Sequence, residues 1–262
     1  MMTTIDLHQG DCCDVMQDMP EGVIDLTVTS PPYDHLRAYN QSDWQWGEEQ
    51  WKPVLEQLYR VTAKKGVVVW IVADATIKAS ETGTSFRQAL YAMECGFNLH
   101  DTMIWNKGGF SAVGALKVRY APVFDYMFVF SKGLPKTFNP IKDRDVKQPG
   151  KIVDSGMQRR IDGSQIPRTN KKKRAGTKSQ RYNIWEFPPE KNNPLHPAPF
   201  PLPLIKDHII SWSNEEDTVF DPFMGSGTTG VAAKKLSRSF IGIELDKKYF
   251  DMAEDRIQAT EF

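Results

Sequence analysis

Hydrophobic and polar positions change period several times along this chain, and each change marks an element. Residues 23–28 form a short β-rich run that stops at Ser30-Pro31-Pro32, where two prolines end any strand or helix. Over 48–62, Trp51, Val54, Leu55, Leu58 and Val61 fall at helical spacing and predict an amphipathic helix. Gly66 then opens the unbroken apolar run VVVWIVA at 67–73, the pattern of a parallel strand buried on both faces. A helix is expected near 84–94, with strands near 99–105 and 123–130. After a long aperiodic stretch the pattern resumes with a helix over 201–212, a strand over 218–220 and a helix over 228–236. A strand over 239–243 and a helix over 247–257 complete it. Strands alternating with helices predict an α/β fold on a doubly wound, mostly parallel sheet.

Between 131 and 193 the periodicity fails, and PGK, DSG, DGS, KKKRAGTK and PPEKNNP follow one another. This is read as an insert, either a small subdomain or a mobile arm, that divides the chain into 1–130, 131–193 and 194–262. Charge sharpens that division. The 262 residues carry 33 basic and 33 acidic side chains, so the whole is neutral. Residues 142–181, however, hold thirteen basic against four acidic residues, a net of +9 that leaves −9 elsewhere. Such asymmetry points to an anionic partner for one face. The three cysteines, two of them adjacent, make neither a disulfide framework nor a zinc spacing, and no metal site is expected. The start, MMTTIDLHQGD, lacks the basic and apolar regions of a signal peptide, and no apolar run approaches the roughly 20 residues that span a bilayer. The expectation is a soluble, cytoplasmic protein that does not engage a membrane.

The strongest local signal is Asp221-Pro222-Phe223-Met224-Gly225-Ser226-Gly227-Thr228-Thr229-Gly230, entered by a strand and left by a helix. Gly225, Gly227 and Gly230 satisfy G-x-G-x-x-G, and Glu244 ends the next strand, 19 residues beyond Gly225. Glycines let the backbone turn sharply and approach a ligand, while a carboxylate at the second strand tip accepts bonds from ribose hydroxyls. That pattern predicts a nucleoside-containing cofactor. A nicotinamide dinucleotide shares the fingerprint, but only one helix follows Glu244 here, and a dinucleotide usually needs further βα units downstream. The remaining strands must then come from upstream, a permuted arrangement.

Thr29-Ser30-Pro31-Pro32-Tyr33 stands at a strand's end, where open α/β sheets place ligands. The prolines hold a rigid extended turn; the Ser30 hydroxyl and the Pro31 carbonyl can accept bonds from an amino group, and Tyr33 offers an aromatic face. SPPY at 30–33 followed far downstream by DPFMGSGTT at 221–229 resembles the beta-group DNA amino-methyltransferases, in which the catalytic motif precedes the cofactor motif. GDCCDVM at 10–16, RVTAKKGVVVWIV at 60–72, HPAPFP at 196–201 and FIGIELD at 240–246 extend the resemblance over most of the chain outside the basic insert. One departure is that HPAPFP stands in place of the family's more usual HPTQKP and lacks that motif's lysine, with Pro201 closing the motif.

The resemblance implies a Rossmann-like methyltransferase fold, S-adenosylmethionine as cofactor and double-stranded DNA as partner. Ser30, Pro31, Pro32 and Tyr33 would form the catalytic turn, drawing the amine of a flipped base towards tetrahedral geometry for attack on the methyl group. Asp221, Phe223, Gly225, Ser226, Gly227, Thr228 and Glu244 would hold the cofactor. Asp11 is read either as an adenine-side contact or as a turn residue, and His196 either as a cofactor contact or as a helix cap. The tryptophans Trp44, Trp46 and Trp51 are core or pocket edge. SPPY is associated more often with N4 of cytosine, the favoured target, and N6 of adenine is the alternative. The family places target recognition where the basic insert lies, so Arg159, Arg160, Arg168, Lys171, Lys172, Lys173, Arg174 and Arg181 are expected to meet DNA, the arginines by phosphate contacts or bidentate contacts to guanine and the run Lys171–Arg174 on phosphate. A separately acting cognate restriction endonuclease is a further partner the resemblance implies, and the chain is expected as a monomer or homodimer. More distant alternatives are methylation of an RNA base or protein glutamine, and a non-catalytic nucleic-acid-binding module.

Overall fold

The computed structural model describes residues 3–32, 46–109, 118–153, 157–167, 173–190 and 200–261. In chain order the main elements are β1 (Ile5–Gln9), α1 (Cys12–Asp18), β2 (Ile24–Thr29), α2 (Glu48–Val61), β3 (Thr62–Val72), α3 (Thr84–Glu94), β4 (Asn98–Asn106) and β5 (Phe124–Ser131). Then come β6 (Ile184–Glu186), α4 (Leu202–Trp212), β7 (Thr218–Asp221), α5 (Thr228–Lys235), β8 (Ser239–Glu244) and α6 (Lys247–Gln258). The eight strands form one sheet in the order β1-β8-β7-β2-β3-β5-β4-β6. All neighbours run parallel except around β5, which is antiparallel to β3 and to β4. The doubly wound, mostly parallel sheet expected from the alternation of elements is therefore present, with helices on both sides.

Patterning explains the centre of this sheet. Every residue of Val67–Val72 is buried, as are Ile24 and Leu26 to Thr29 of the neighbouring β2. Each fully buried Val, Leu or Ile side chain is worth roughly 1.5–3 kcal/mol. Helices α1, α2 and α3 pack in series, as do α4, α5 and α6. The guanidinium of Arg60 in α2 donates to the Met19 carbonyl at 2.8 Å and to that of Met16, so it ties the end of α1 to α2.

The connections fix where a ligand belongs. After β7 the chain crosses through α5 to β8, on the β1 side; after β2 it crosses through α2 to β3, on the opposite side. The order reverses between β7 and β2, and the crevice beyond their carboxyl ends is the topological switch point at which such sheets bind ligands.

The contacts divide the chain into two units, Met1–Asn139 with Asn183–Phe262, and Pro140–Tyr182. The compact insert is narrower than 131–193, for two reasons. The Lys132 ammonium donates to the Tyr59 and Thr62 carbonyls at 2.7 and 3.0 Å, tying the chain after β5 to the first unit. On the other flank Ile184–Glu186 adds to the sheet as an edge strand parallel to β4. Taken by itself, Pro140–Tyr182 is built of two-stranded antiparallel pairs: Lys142–Asp145 with Lys178–Gln180, Ile152–Val153 with Lys173–Arg174, and Met157–Arg159 with Gln165–Pro167.

Candidate active site

Two stretches 192 residues apart in sequence meet at one carboxylate. Asp221, at the end of β7, is 2% exposed. Its Oδ1 accepts from the Thr29 hydroxyl at 2.7 Å and from the Phe223 amide at 3.1 Å, and its Oδ2 accepts from the Thr229 hydroxyl at 2.7 Å. Thr29 is the last residue of β2, immediately before Ser30-Pro31-Pro32, and Thr229 lies in the first turn of α5. Asp221 therefore clasps the proline turn to the glycine loop. Burial pushes its carboxyl up to about 6, against the three hydrogen bonds that favour the ionised form.

Glu244 organises the other side of the loop. Its Oε2 accepts from the Gly225 amide at 2.9 Å and its Oε1 from the Asp246 amide at 2.9 Å, so one strand-tip carboxylate braces both the glycine loop and the N-cap of α6. Burial raises its pKa from the usual carboxylate range. The glycines have separate tasks. Gly227 caps α5 at φ +79°, in the left-handed region that favours glycine. A Cβ on Gly230 would stand 2.3 Å from Ile257 Cδ1 and 2.7 Å from Phe240 Cε1, so that glycine exists for close packing of α5 on β8 and α6.

The expected site residues fall into three groups. Ser30 is half-buried at the tip of β2, Pro31 buried and Pro32 half-buried; Tyr33 and His196 lie outside the described residues. Phe223 is half-buried and meets Trp46 edge-on at 5.4 Å and Trp70 at 6.4 Å, within an aromatic cluster at the crevice. Asp221, Ser226 and Thr228 do not line an open face: they are 2%, 3% and 6% exposed. Asp221 is the clasp already described, and the Ser226 hydroxyl accepts from the Arg256 guanidinium of α6 at 2.8 Å. Asp11 is exposed and is the N-cap of α1, accepting from the Cys13 amide at 2.8 Å. Its neighbour Gly10 donates its amide to the Glu244 carbonyl, which sets Asp11 beside the strand-tip acid. Asp11, Cys12 and Cys13 bring one oxygen and two sulfurs within 4.8 Å of one another; bonding between the thiols and burial push Cys12 up, which holds it protonated.

Among the basic residues, Arg168, Lys171 and Lys172 lie outside the described residues. Arg159, Arg160 and Arg174 are exposed, and Lys173 pairs with Val153 in a short strand. Arg181 is bonded within its own unit: its guanidinium donates to Asp143 at 2.8 Å, which holds that carboxyl below the usual range. Of the tryptophans, Trp46 and Trp51 are 6% and 2% exposed and belong to the core; Trp44 is outside the described residues.

Sequence reasoning missed the partners that assemble the site. Thr29 and Thr229 stood in the quoted motifs without a role, and Trp70 read only as strand filler. Its indole donates to the buried Gln88 side chain at 2.9 Å, fixing the ring against which Phe223 rests. Nothing in residue spacing signals a bond across 192 positions; the available clue was a hydroxyl flanking each motif.

A doubly wound sheet whose switch point joins a glycine loop, a strand-tip acid and a proline turn defines a Rossmann-like methyltransferase. Residues 24–255 match the family model described as DNA methylase, and the chain belongs to that family. It is a beta-group DNA amino-methyltransferase, in agreement with the order of its motifs. It is 48% identical to the orphan methyltransferase M.BamHII of Bacillus amyloliquefaciens, over 95% of this chain and 90% of the relative. To the type II methyltransferase M.HpaI of Haemophilus parainfluenzae it is 29% identical, over 93% of this chain and 71% of the relative. Solved structures share the fold. The cytosine-N4-specific PvuII DNA methyltransferase has a TM-score of 0.69 at 19% identity, covering 98% of this chain and 87% of that one. M1.HpyAVI in complex with SAM has a TM-score of 0.61 at 22% identity, covering 97% and 100%.

Proposed function

We propose that this chain methylates N4 of cytosine in double-stranded DNA, using S-adenosylmethionine, and that the Ser30–Pro31 turn is the catalytic centre. When bound, S-adenosylmethionine supplies a methyl group made electrophilic by its sulfonium. The residues present fit a nucleoside-bearing ligand. Each Glu244 oxygen accepts one backbone N–H and keeps a lone pair for a ribose hydroxyl, and Phe223 and the Gly225–Gly227 backbone border the same crevice.

The observation that carries the reading is the clasp. Through Asp221, the turn bearing Ser30 is bonded rigidly to the loop that would hold the cofactor. Positioning of this kind is the main resource for a reaction that needs no covalent enzyme intermediate. An exocyclic amine is a poor nucleophile because its lone pair is delocalised into the ring. Among the described residues neither the Ser30 hydroxyl nor the Pro31 carbonyl has a partner, and both would accept from that amine, localising the lone pair towards the donor. A base inside a duplex cannot reach them, so the target is flipped out and stacks on Tyr33. The SPPY form of the turn favours cytosine. The basic insert, with Arg159, Arg160 and Lys171 to Arg174, would hold the duplex.

The test is incubation of unmethylated DNA with methyl-labelled S-adenosylmethionine, followed by nucleoside mass spectrometry. Labelled N4-methylcytosine is the expected product. Labelled N6-methyladenine would keep the turn's chemistry and overturn the choice of base, and loss of no activity in Ser30→Ala would overturn the role of the hydroxyl.

A further inference from the structure

Within Pro140–Tyr182, the strands Met157–Arg159 and Gln165–Pro167 form a hairpin whose tip breaks the rules of its own turn. Arg160 donates its amide to the Ser164 carbonyl at 2.8 Å, and Gly163 donates to the Arg160 carbonyl at 3.0 Å, with Gly163 at φ +84°. This is a three-residue hairpin loop, a tight turn closed by a left-handed glycine. The Asp162 carboxylate accepts from the Ser164 amide at 2.9 Å and from its hydroxyl at 2.6 Å, so the tip is stiffly held. Turn positions favour Pro, Asp, Asn, Ser and Gly. Here the first loop residue is Ile161, a β-branched side chain at home in strands, and its relative exposure is 110%. It gains nothing from the fold. A local rule broken without a structural return is expected where function requires it.

The surroundings specify what such a tip meets. Residues 157–160 and 162–165 are all exposed, so the ribbon stands with both faces in solvent. Arg159 and Arg160 are adjacent, and strand alternation sends them to opposite faces of the ribbon. Among the described residues neither is ion-paired, whereas Asp143 and Asp145 of the same unit are bonded to Arg181 and Lys178 and Asp162 is taken up by Ser164. The unit's surplus of positive charge is thus presented beside an apolar point. A two-stranded ribbon fits the major groove, and the roughly 14 Å from the Met157 pair to the tip exceeds the groove's depth of about 8.5 Å.

We propose that this hairpin enters the major groove and that Ile161 is a wedge inserted into the base stack, with Arg159 and Arg160 on the phosphates of the two groove walls. The proposal rests on the reading of the basic insert as the part that engages DNA. An apolar wedge holds open a step that would otherwise restack, the device by which minor-groove-binding proteins deform a duplex, acting here from the major-groove side. For an enzyme that needs an extruded base, the wedge occupies space the stack would reclaim.

The modified base is first located by sequencing a methylated plasmid, and a short synthetic duplex of that sequence is then made with 2-aminopurine substituted one position at a time. With the native protein, fluorescence rises at one or more positions as stacking is lost. With Ile161→Ala that rise is lost, because nothing holds the step open, and Ile161→Leu restores it. Cofactor affinity by calorimetry and the thermal midpoint are unchanged in both, since Ile161 touches neither. An unchanged fluorescence rise in Ile161→Ala overturns the wedge. The double variant Arg159→Ala, Arg160→Ala separates the two readings: reduced duplex affinity with a shallower salt dependence supports the insert as the DNA-binding part. Unchanged affinity overturns that reading, and the wedge with it.

Discussion

At the scale of single residues, the site depends on a carboxylate whose ionisation the fold opposes. Asp221 has its pKa raised from 3.8 to about 6 by burial. A group whose folded pKa lies above its unfolded value contributes stability that is complete below the unfolded pKa and is lost as pH rises through the folded one. For Asp221 the window runs from about pH 4 to about pH 6, and a shift of roughly two units corresponds to about 3 kcal/mol. Asp221→Asn removes this dependence. Its amide oxygen still accepts from Thr29 and Phe223, while its NH2 donates to the Thr229 hydroxyl, which turns towards the Val28 carbonyl 3.5 Å away. Urea melts of the two proteins should differ by about 3 kcal/mol more at about pH 4 than at about pH 7, in favour of the native protein at the acid end. Parallel pH profiles would show that the carboxylate is not desolvated as described.

At the scale of elements, the packing of α5 against β8 and α6 sets the geometry of the glycine loop. Glycine inside a helix usually costs about 0.5–1 kcal/mol relative to alanine, so propensity alone says that Gly230→Ala stabilises. Packing says the reverse. The new methyl would overlap Phe240 and Ile257, and overpacking of this kind costs roughly 1–3 kcal/mol. The Ile257 terminus can rotate, but the Phe240 ring is fully buried and cannot yield as easily. The expected outcome is a lower melting temperature, which a thermal scan decides; a higher one would mean that the helix and not the contact governs this position. Elements of this kind were legible because their patterns are long. Helix α3 spans the expected 84–94, and β3 contains the apolar run as far as Val72, since burial on both faces leaves a continuous signature. Strand β6 was not legible. It has three residues, only Trp185 among them is buried, and it exists through pairing with β4. Strand β1 and helix α1 went unread for the same reason, being short and half-exposed.

At the scale of the whole molecule, a neutral chain hides an uneven distribution of charge. The net +9 over 142–181 lies inside Pro140–Tyr182, where the few acids are largely bonded to neighbours of the same unit. Binding to duplex DNA should therefore depend steeply on salt in spite of the zero overall charge. With about six phosphates neutralised, affinity falls roughly a thousandfold between about 50 and about 200 mM salt. A salt titration by fluorescence anisotropy measures the slope directly, and a flat titration would exclude this unit from the interface.

What the sequence determined by itself was local or periodic. The alternation of strands and helices specified the fold class, and two short motifs in a particular order specified the family, because glycine and proline act on the backbone wherever they stand. The roles of Asp221 and Ser226 were decided elsewhere. Both sit within the cofactor motif, yet both are buried, one bonded to Thr29 and Thr229, the other to Arg256. Which side of a loop faces the crevice depends on what packs behind it, and that packing comes from β2 and α6, far away along the chain. The same holds for Arg181, a cation in a basic run until the strand pairing sets Asp143 beside it. Hydrogen-bond partners remote in sequence leave no spacing to read, so only the tertiary structure could assign them.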